Sequence, residues 1–206
     1  PEGLVAWMVA RLSGRPVMLY AHGEELTGWG LGGKYRAMCF ALRHADRVIA
    51  NSDNTRVTLL DMGVSPERIE LIHPGVDLER FRPGLDIRGL RESLAVAPDE
   101  FLLLSIGRLT RRKGFDHAIR AVARLRAEGM PVRYAIAGIG EDAGYLDALI
   151  GETGMQGVVR RLGAVSEADL PRWLNACEAF IMPNREVEGD SEGFGMVFIE
   201  AAACGK

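Results

Sequence analysis

Apolar residues along this chain fall into short runs separated by stretches where they recur every three or four positions. Val17–Ala21, Arg47–Ala50 and Ile69–Ile72 read as strands, with helices over Lys34–Arg43 and from about Asp53 to Met62. A second series opens at Phe101–Ile106, a near-continuous apolar run of the kind buried on both faces of a parallel sheet. It continues through Val132–Ala137, Val158–Leu162 and Ala179–Met182. Phe115, Ile119, Val122 and Leu125 share one face at helical spacing between the first two of these strands. Strands alternating with amphipathic helices predict an α/β fold with parallel sheets.

Between the two series, the stretch from His73 to about Pro98 is rich in Pro, Gly and charge. The expected organisation is therefore a first domain over 1–75, an interdomain linker over 76–98 and a second domain over 99–206. The two halves resemble each other in architecture and not as a sequence repeat. Each is short for a complete doubly wound domain. The chain opens at Pro1 without Met and closes on a helix capped by Gly205, so both domains are expected to be incomplete through truncation.

Composition narrows the function classes. Of 206 residues, 48% are hydrophobic and 26% charged, which is the balance of a chain that buries cores. A formal net charge of −3 supplies no overall basic field and disfavours nucleic acid as a partner. Cys39, Cys177 and Cys204 fit neither a disulfide framework nor a CxxC metal site, and read as buried thiols of a reducing compartment. The sequence shows no apolar run long enough to cross a bilayer and no signal-peptide pattern.

The stretch with most chemical content is Asp190-Ser191-Glu192-Gly193-Phe194-Gly195-Met196-Val197-Phe198-Ile199-Glu200. It follows a strand and opens a helix, and in a parallel α/β sheet ligands sit at the carboxyl ends of strands. Gly193 and Gly195 let the main chain approach a ligand. The unpaired N–H groups from Phe194 to Val197 suit hydroxyls or phosphate oxygens. Glu192 and Glu200, roughly 8–12 Å apart by helical rise, match the span from ribose to hexose in a nucleotide-diphosphate sugar. A carboxylate accepts two hydroxyl hydrogen bonds at once. The plainer alternative is a loop–helix junction with Glu192 placed for the helix dipole and Glu200 solvated.

Arg108 and Lys113 form the second constellation. Gly107-Arg108-Leu109 ends a buried strand and Lys113-Gly114 opens the next helix, so both cations belong at the same sheet edge, where a diphosphate would need them. Solvated loop cations are the alternative. Two patterns mislead. Gly138-Ile-Gly140-Glu-Asp-Ala143 fits the dinucleotide fingerprint, but the next strand ends in Leu162-Gly163 and not in the ribose-binding acid. Asp190-Ser191-Glu192 has no His or further ligand to complete a metal site.

Taken in order, these segments resemble the retaining glycosyltransferase family 4, of GT-B fold, over nearly the whole chain. The resemblance rests on Glu192-Gly-Phe-Gly-Met-Val-Phe-Ile-Glu200, on Gly107-Arg108-Leu109 with Lys113-Gly114, and on Ile72-His73-Pro74-Gly75-Val76-Asp77 with Phe81-Arg82-Pro83. Ala45-Asp46-Arg47-Val48-Ile49-Ala50-Asn51-Ser52 adds to it. It implies two Rossmann-like domains, the first on the acceptor side and the second for the donor. By this resemblance Glu200 holds the ribose, Glu192 the hexose, and Arg108 and Lys113 the departing diphosphate. The main chain of Gly193, Phe194, Gly195, Met196 and Val197 touches sugar hydroxyls and phosphate. Val165, in Gly163-Ala164-Val165, lies by the nucleobase, Gly138 and Gly140 permit close approach, and His22 faces the donor sugar.

The implied activity is transfer of a hexosyl group from a UDP- or GDP-sugar to an acceptor hydroxyl with retention, without metal or other cofactor. The acceptor is a sugar, a lipid-linked group or a small molecule. Localisation is cytoplasmic, with peripheral contact at the inner membrane face for lipid-linked acceptors. The alternatives are a catalytically silent nucleotide-sugar-binding protein and a sugar-nucleotide epimerase of GT-B fold. A Trp29-bearing loop over Glu24–Lys34 reads as a connector or an acceptor-side loop.

Overall fold

The computed structural model describes residues 2–23, 26, 32–187 and 193–206. The chain divides into two compact units, Pro1–Gly75 with Val187–Gly195, and Val76–Glu186 with Met196–Lys206.

The first unit contains α1 (Glu2–Ser13), β1 (Met18–Ala21), α2 (Gly33–His44), β2 (Arg47–Ala50), α3 (Asp53–Asp61) and β3 (Ile69–Leu71). The strands form a parallel sheet in the order β1-β2-β3, with Tyr20 opposite Ile49 and Ile49 opposite Glu70. Val48, Ala50, Leu42, Leu59 and Val64 build its core. Helix α3 starts where Ser52 caps it, its hydroxyl accepting from the Thr55 N–H at 3.1 Å. Helix α1 had no counterpart among the elements named from the sequence.

The second unit contains α4 (Leu90–Ser93), β4 (Phe101–Ile106), α5 (Phe115–Ala127), β5 (Val132–Ala137), α6 (Ala143–Glu152), β6 (Val159–Gly163), α7 (Leu170–Ala176), β7 (Ala179–Phe180) and α8 (Met196–Ala203). Its four parallel strands run in the order β6-β5-β4-β7. Side chains alternate between two covered faces, which is why β4 reads as unbroken hydrophobicity. Leu103, Tyr134 and Ile136 pack under α5 and α6, against Phe115, Ile119, Val122, Leu146 and Leu149. Leu102, Leu104 and Ala135 face the other way, against Leu174, Cys177, Ala201 and Cys204.

One polar chain crosses this core. The Tyr134 hydroxyl and Ser105 Oγ lie 2.7 Å apart, and Ser105 Oγ donates to the Ile181 carbonyl, which links β5, β4 and the end of β7. Burial pushes the Tyr134 phenol far above its ordinary value, so it stays a donor.

Strand order reverses between β4 and β7. The loops leaving these two strands pack on each other there, the Arg185 N–H donating to the Arg112 carbonyl at 2.8 Å. The loop after β4 carries Gly107–Gly114, and the segment after β7 carries Pro183–Arg185. The stretch expected as a linker packs on this unit as well. Phe81 and Leu94 are buried in its second core face, and Arg91 donates to the Glu100 and Ala176 carbonyls. No described helix is long and apolar enough to cross a membrane.

Candidate functional site

Strands β4, β5 and β6 end side by side, and the loops that follow enclose a cleft of about 710 Å³. Gly107, Arg108, Gly138, Gly140, Glu141, Val165 and Glu167 are among the residues lining it. Main-chain hydrogen bonds join these loops: Gly107 N–H to Ala137 O at 3.0 Å, Leu109 N–H to Ile139 O at 3.0 Å, and Gly138 N–H to Gly163 O at 2.7 Å. The glycines allow this. At Gly138, with φ +141°, a Cβ would stand 1.9 Å from the Gly107 carbonyl oxygen, and at Gly140 one would stand 2.4 Å from the Leu109 oxygen. Gly138 and Gly140, at which the family resemblance implies close approach of a ligand, line the cleft, and the chain's own 107–109 loop packs against them, main chain on main chain.

The four cations between Arg108 and Lys113 have different surroundings. Arg108 lines the cleft, with Nε 3.5 Å from Glu141 Oε2 and side chains 73% and 61% exposed. A pair this exposed is worth little, so the guanidinium exchanges partners readily. The side chain of Lys113 runs beside the same loop, because a Cβ at Gly107 would meet its Cε at 3.8 Å. Arg111 is committed elsewhere, 3.3 Å from Asp142 Oδ1 and 3.4 Å above the Tyr145 ring. Arg112 is buried.

Glu200 lies half-buried in α8. Desolvation raises its pKa, Glu167 adds to the rise and Arg80 opposes it. Arg80 is itself held by Glu167, donating to its main-chain oxygen and lying 3.2 Å from Oε2. Since Glu167 lines the cleft, Glu200 belongs to the same electrostatic neighbourhood. Sequence reasoning missed Arg80, Glu141 and Glu167. Arg80 lies in the stretch expected as a linker, where the single buried Phe81 is too little for a periodic signal.

Helix α8 starts at Met196, so its first free N–H groups belong to Met196, Val197 and Phe198, while Phe194 and Gly195 precede it. Glu192, with Asp190 and Ser191, lies outside the described residues, as does most of the Glu24–Lys34 loop with Trp29. His22 follows β1 in the first unit, its ring 4.5 Å from that of Tyr20. The His22 carbonyl accepts from Asn51 Nδ2 at 2.8 Å, and a Cβ on Gly193 would come within 1.8 Å of that same oxygen. The Phe194 ring lies 5.7 Å from that of His73. His22, Gly193, Phe194 and Gly195 thus belong to the first unit. Arg108, Lys113, Gly138, Gly140, Val165, Met196, Val197 and Glu200 belong to the second.

Residues 86–206 match the family described as Glycosyl transferases group 1, and residues 1–80 match Glycosyltransferase Family 4. The chain belongs to the group 1 glycosyl transferases. A D-inositol 3-phosphate glycosyltransferase of Catenulispora acidiphila is 38% identical over 171 residues, covering 78% of this chain and 39% of the relative. A second from the same organism is 32% identical, covering 99% of this chain and 52% of the relative. This member of the family therefore spans about half, or less, of those relatives' length. Among solved structures, Anabaena HepE in complex with UDP-glucose superposes with a TM-score of 0.81 at 26% identity, covering 99% of this chain and 55% of the other. Sucrose-phosphate synthase of Thermosynechococcus elongatus shares the fold, with a TM-score of 0.77 at 24% identity and 99% and 52% coverage. The architecture of this family member is GT-B, with parallel-sheet Rossmann-like units.

Proposed function

We propose that the second unit binds the nucleotide-diphosphate donor of a retaining hexosyltransferase, with UDP-sugars the first donors to test and GDP-sugars the next. The observation that carries this reading is the cleft at the carboxyl ends of β4, β5 and β6, lined by Arg108 on a floor of main-chain contacts. Arg108 gives up Glu141 for the diphosphate, and Lys113 and the first N–H groups of α8 add positive potential. Glu200 accepts both ribose hydroxyls, and the Ala164–Val165 loop takes the base. The binding of UDP-glucose by HepE, a structural neighbour, supports this choice of donor.

In the proposed reaction the bond from the anomeric carbon to the β-phosphate oxygen breaks as the acceptor oxygen bonds to the same face. The acceptor's proton passes to the departing phosphate. Charge accumulates on that phosphate, and stabilising such charge is the largest contribution in this class of chemistry. The reading assigns no metal, because the two cations and the helix N-terminus supply the positive charge. The relatives named D-inositol 3-phosphate glycosyltransferases make a phosphorylated polyol the first acceptor to try.

The test is incubation of the purified protein with UDP-[14C]glucose or GDP-mannose, with and without D-inositol 3-phosphate. Nucleoside diphosphate release is followed, and the anomeric configuration of the product is read by proton NMR. Release of UDP or GDP with an α-linked product supports the reading. An inverted product refutes retention, and failure to bind or turn over either donor refutes the donor site.

A further inference from the structure

Arg80 stands on a turn that its neighbours hold firmly. Asp77 Oδ1 accepts from the Glu79 and Arg80 N–H groups at 2.9 and 3.2 Å, and the Phe81 N–H donates to the Asp77 carbonyl at 2.8 Å. Phe81 is 3% exposed and shares the second core face with Leu174 of α7. The central carbon of the Arg80 guanidinium lies 4.8 Å from the centre of that buried ring, a distance at which ring and cation attract. Its Nη2 donates to the Glu167 main-chain oxygen and lies 3.2 Å from Glu167 Oε2.

Glu167 belongs to the loop between β6 and α7, of which Ala164, Val165 and Glu167 line the cleft. The loop is pinned at both ends. The Gly163 carbonyl accepts from the Gly138 N–H at 2.7 Å. Ser166 closes the turn into α7, its Oγ accepting from the Asp169 N–H and its carbonyl from the Leu170 N–H, each at 3.1 Å. Arg80 ties the loop from a distant segment of the chain, at a residue that faces the cleft. The Glu167 side chain is 90% exposed, so its ion pair contributes little. The bond to the main-chain oxygen is the one that sets where the loop runs. Resting on the donor-site reading above, we infer that Arg80 is a positioning residue for the nucleoside half of the donor, holding the 164–167 loop where it takes the base. Two rival accounts give Arg80 a smaller part. In one it stabilises the fold alone, and in the other it adds a positive charge that attracts a diphosphate from a distance.

The pattern of ligand-induced amide shifts separates the three. The 15N-labelled wild-type chain, R80M and R80Q are titrated with UDP, or with GDP if only GDP binds, and a thermal melt is run on each. Met keeps an unbranched stem beside Phe81 and removes the donors; R80Q carries the test if R80M does not fold. Both variants are expected to bind about ten-fold more weakly, as for a lost hydrogen bond from a charged donor. At saturation the shifts of Ala164–Glu167 are expected to be largely lost, and those of Gly107–Leu109 to stay as in the wild type. A looser fold or a missing distant charge would weaken binding and keep the pattern. Wild-type shifts at Ala164–Glu167 in the variants, at whatever affinity, therefore overturn the inference, and so does unchanged affinity. Binding of neither UDP nor GDP by the wild-type chain overturns the donor reading and this inference with it, whereas normal wild-type binding with insensitive variants overturns the inference alone.

Discussion

Gly138→Ala tests the claim that the cleft floor is sealed by main-chain contact. Two costs follow from the structure. Gly138 has φ +141°, a region that L side chains rarely adopt, and holding a residue there costs about 1–3 kcal/mol. The added Cβ would stand 1.9 Å from the Gly107 oxygen and 2.9 Å from its carbonyl carbon. Neither atom belongs to a flexible side chain, so the loop itself must move, at about 1–3 kcal/mol for overpacking. The total is about 2–6 kcal/mol, a large part of the stability of a small domain. Because the chain divides into two units, native-state hydrogen exchange of the β4 and β5 amides is the assay that localises the loss to the second. Leu104 and Ile136 are expected to lose about 2–6 kcal/mol of protection, and the Gly107 amide to shift with its carbonyl. Gly144→Ala is the control: it lies near the start of α6 with no atom within 4 Å of its Cβ position. It is expected to gain up to about 1 kcal/mol. Exchange in Gly138→Ala equal to wild type would mean that the 107–109 loop is not held against that glycine.

Other consequences can be checked separately. Arg108→Ala is expected to lower kcat for donor turnover by about 100- to 1,000-fold if it acts as one electrostatic donor to the departing phosphate; a near-wild-type rate in steady-state assays contradicts that role. Tyr134→Phe removes one donor from the buried chain and is expected to cost about 1 kcal/mol, whereas Ser105→Ala strands both the Tyr134 hydroxyl and the Ile181 carbonyl and should cost about 2–4 kcal/mol. Denaturant unfolding that ranks them the other way contradicts the assigned bonds. Burial holds the Glu200 pKa above the usual 4.5, so the ionised form that accepts ribose hydroxyls is lost on acidification at a higher pH than for an exposed glutamate. The sign for stability is opposite: a carboxyl raised in the folded state destabilises it as pH climbs from the ordinary value through the folded one. Glu200→Gln should therefore melt no lower than wild type at pH 7 while binding UDP more weakly and without the acid limb, and a lower melting temperature contradicts this.

Much of the second unit was legible because its strands are covered on both faces. Phe101–Ile106 and Val132–Ala137 announce themselves by hydrophobicity alone, and the observed elements have those bounds. Strand β7 is shorter than Ala179–Met182 because pairing with β4 stops at Phe180, three residues before Pro183. Periodicity could not find what depends on tertiary contact. Phe81 and Leu94 each bring one buried side chain out of a charged stretch, too sparse for a pattern. Gly138 and Gly140 were visible as glycines, but the partner they accommodate, the 107–109 main chain, leaves no trace in composition. Arg80, Glu141 and Glu167 were invisible for a related reason. A charged side chain in a loop reads as solvated until the carboxylate or carbonyl it meets is located.

The central claim is that the cleft at the ends of β4, β5 and β6 takes a nucleoside diphosphate. Titrating the 15N-labelled chain with UDP and mapping amide shifts tests it most directly. Saturable shifts are expected, concentrated on Gly107–Leu109, Gly138–Glu141, Ala164–Glu167 and Met196–Glu200, and largely absent in Arg108→Ala. Shifts centred instead on the apolar cavity of about 370 Å³ between α1, α2 and β1, lined by Leu19, Met38 and Leu42, would contradict it, as would a spectrum that UDP and GDP both leave unchanged.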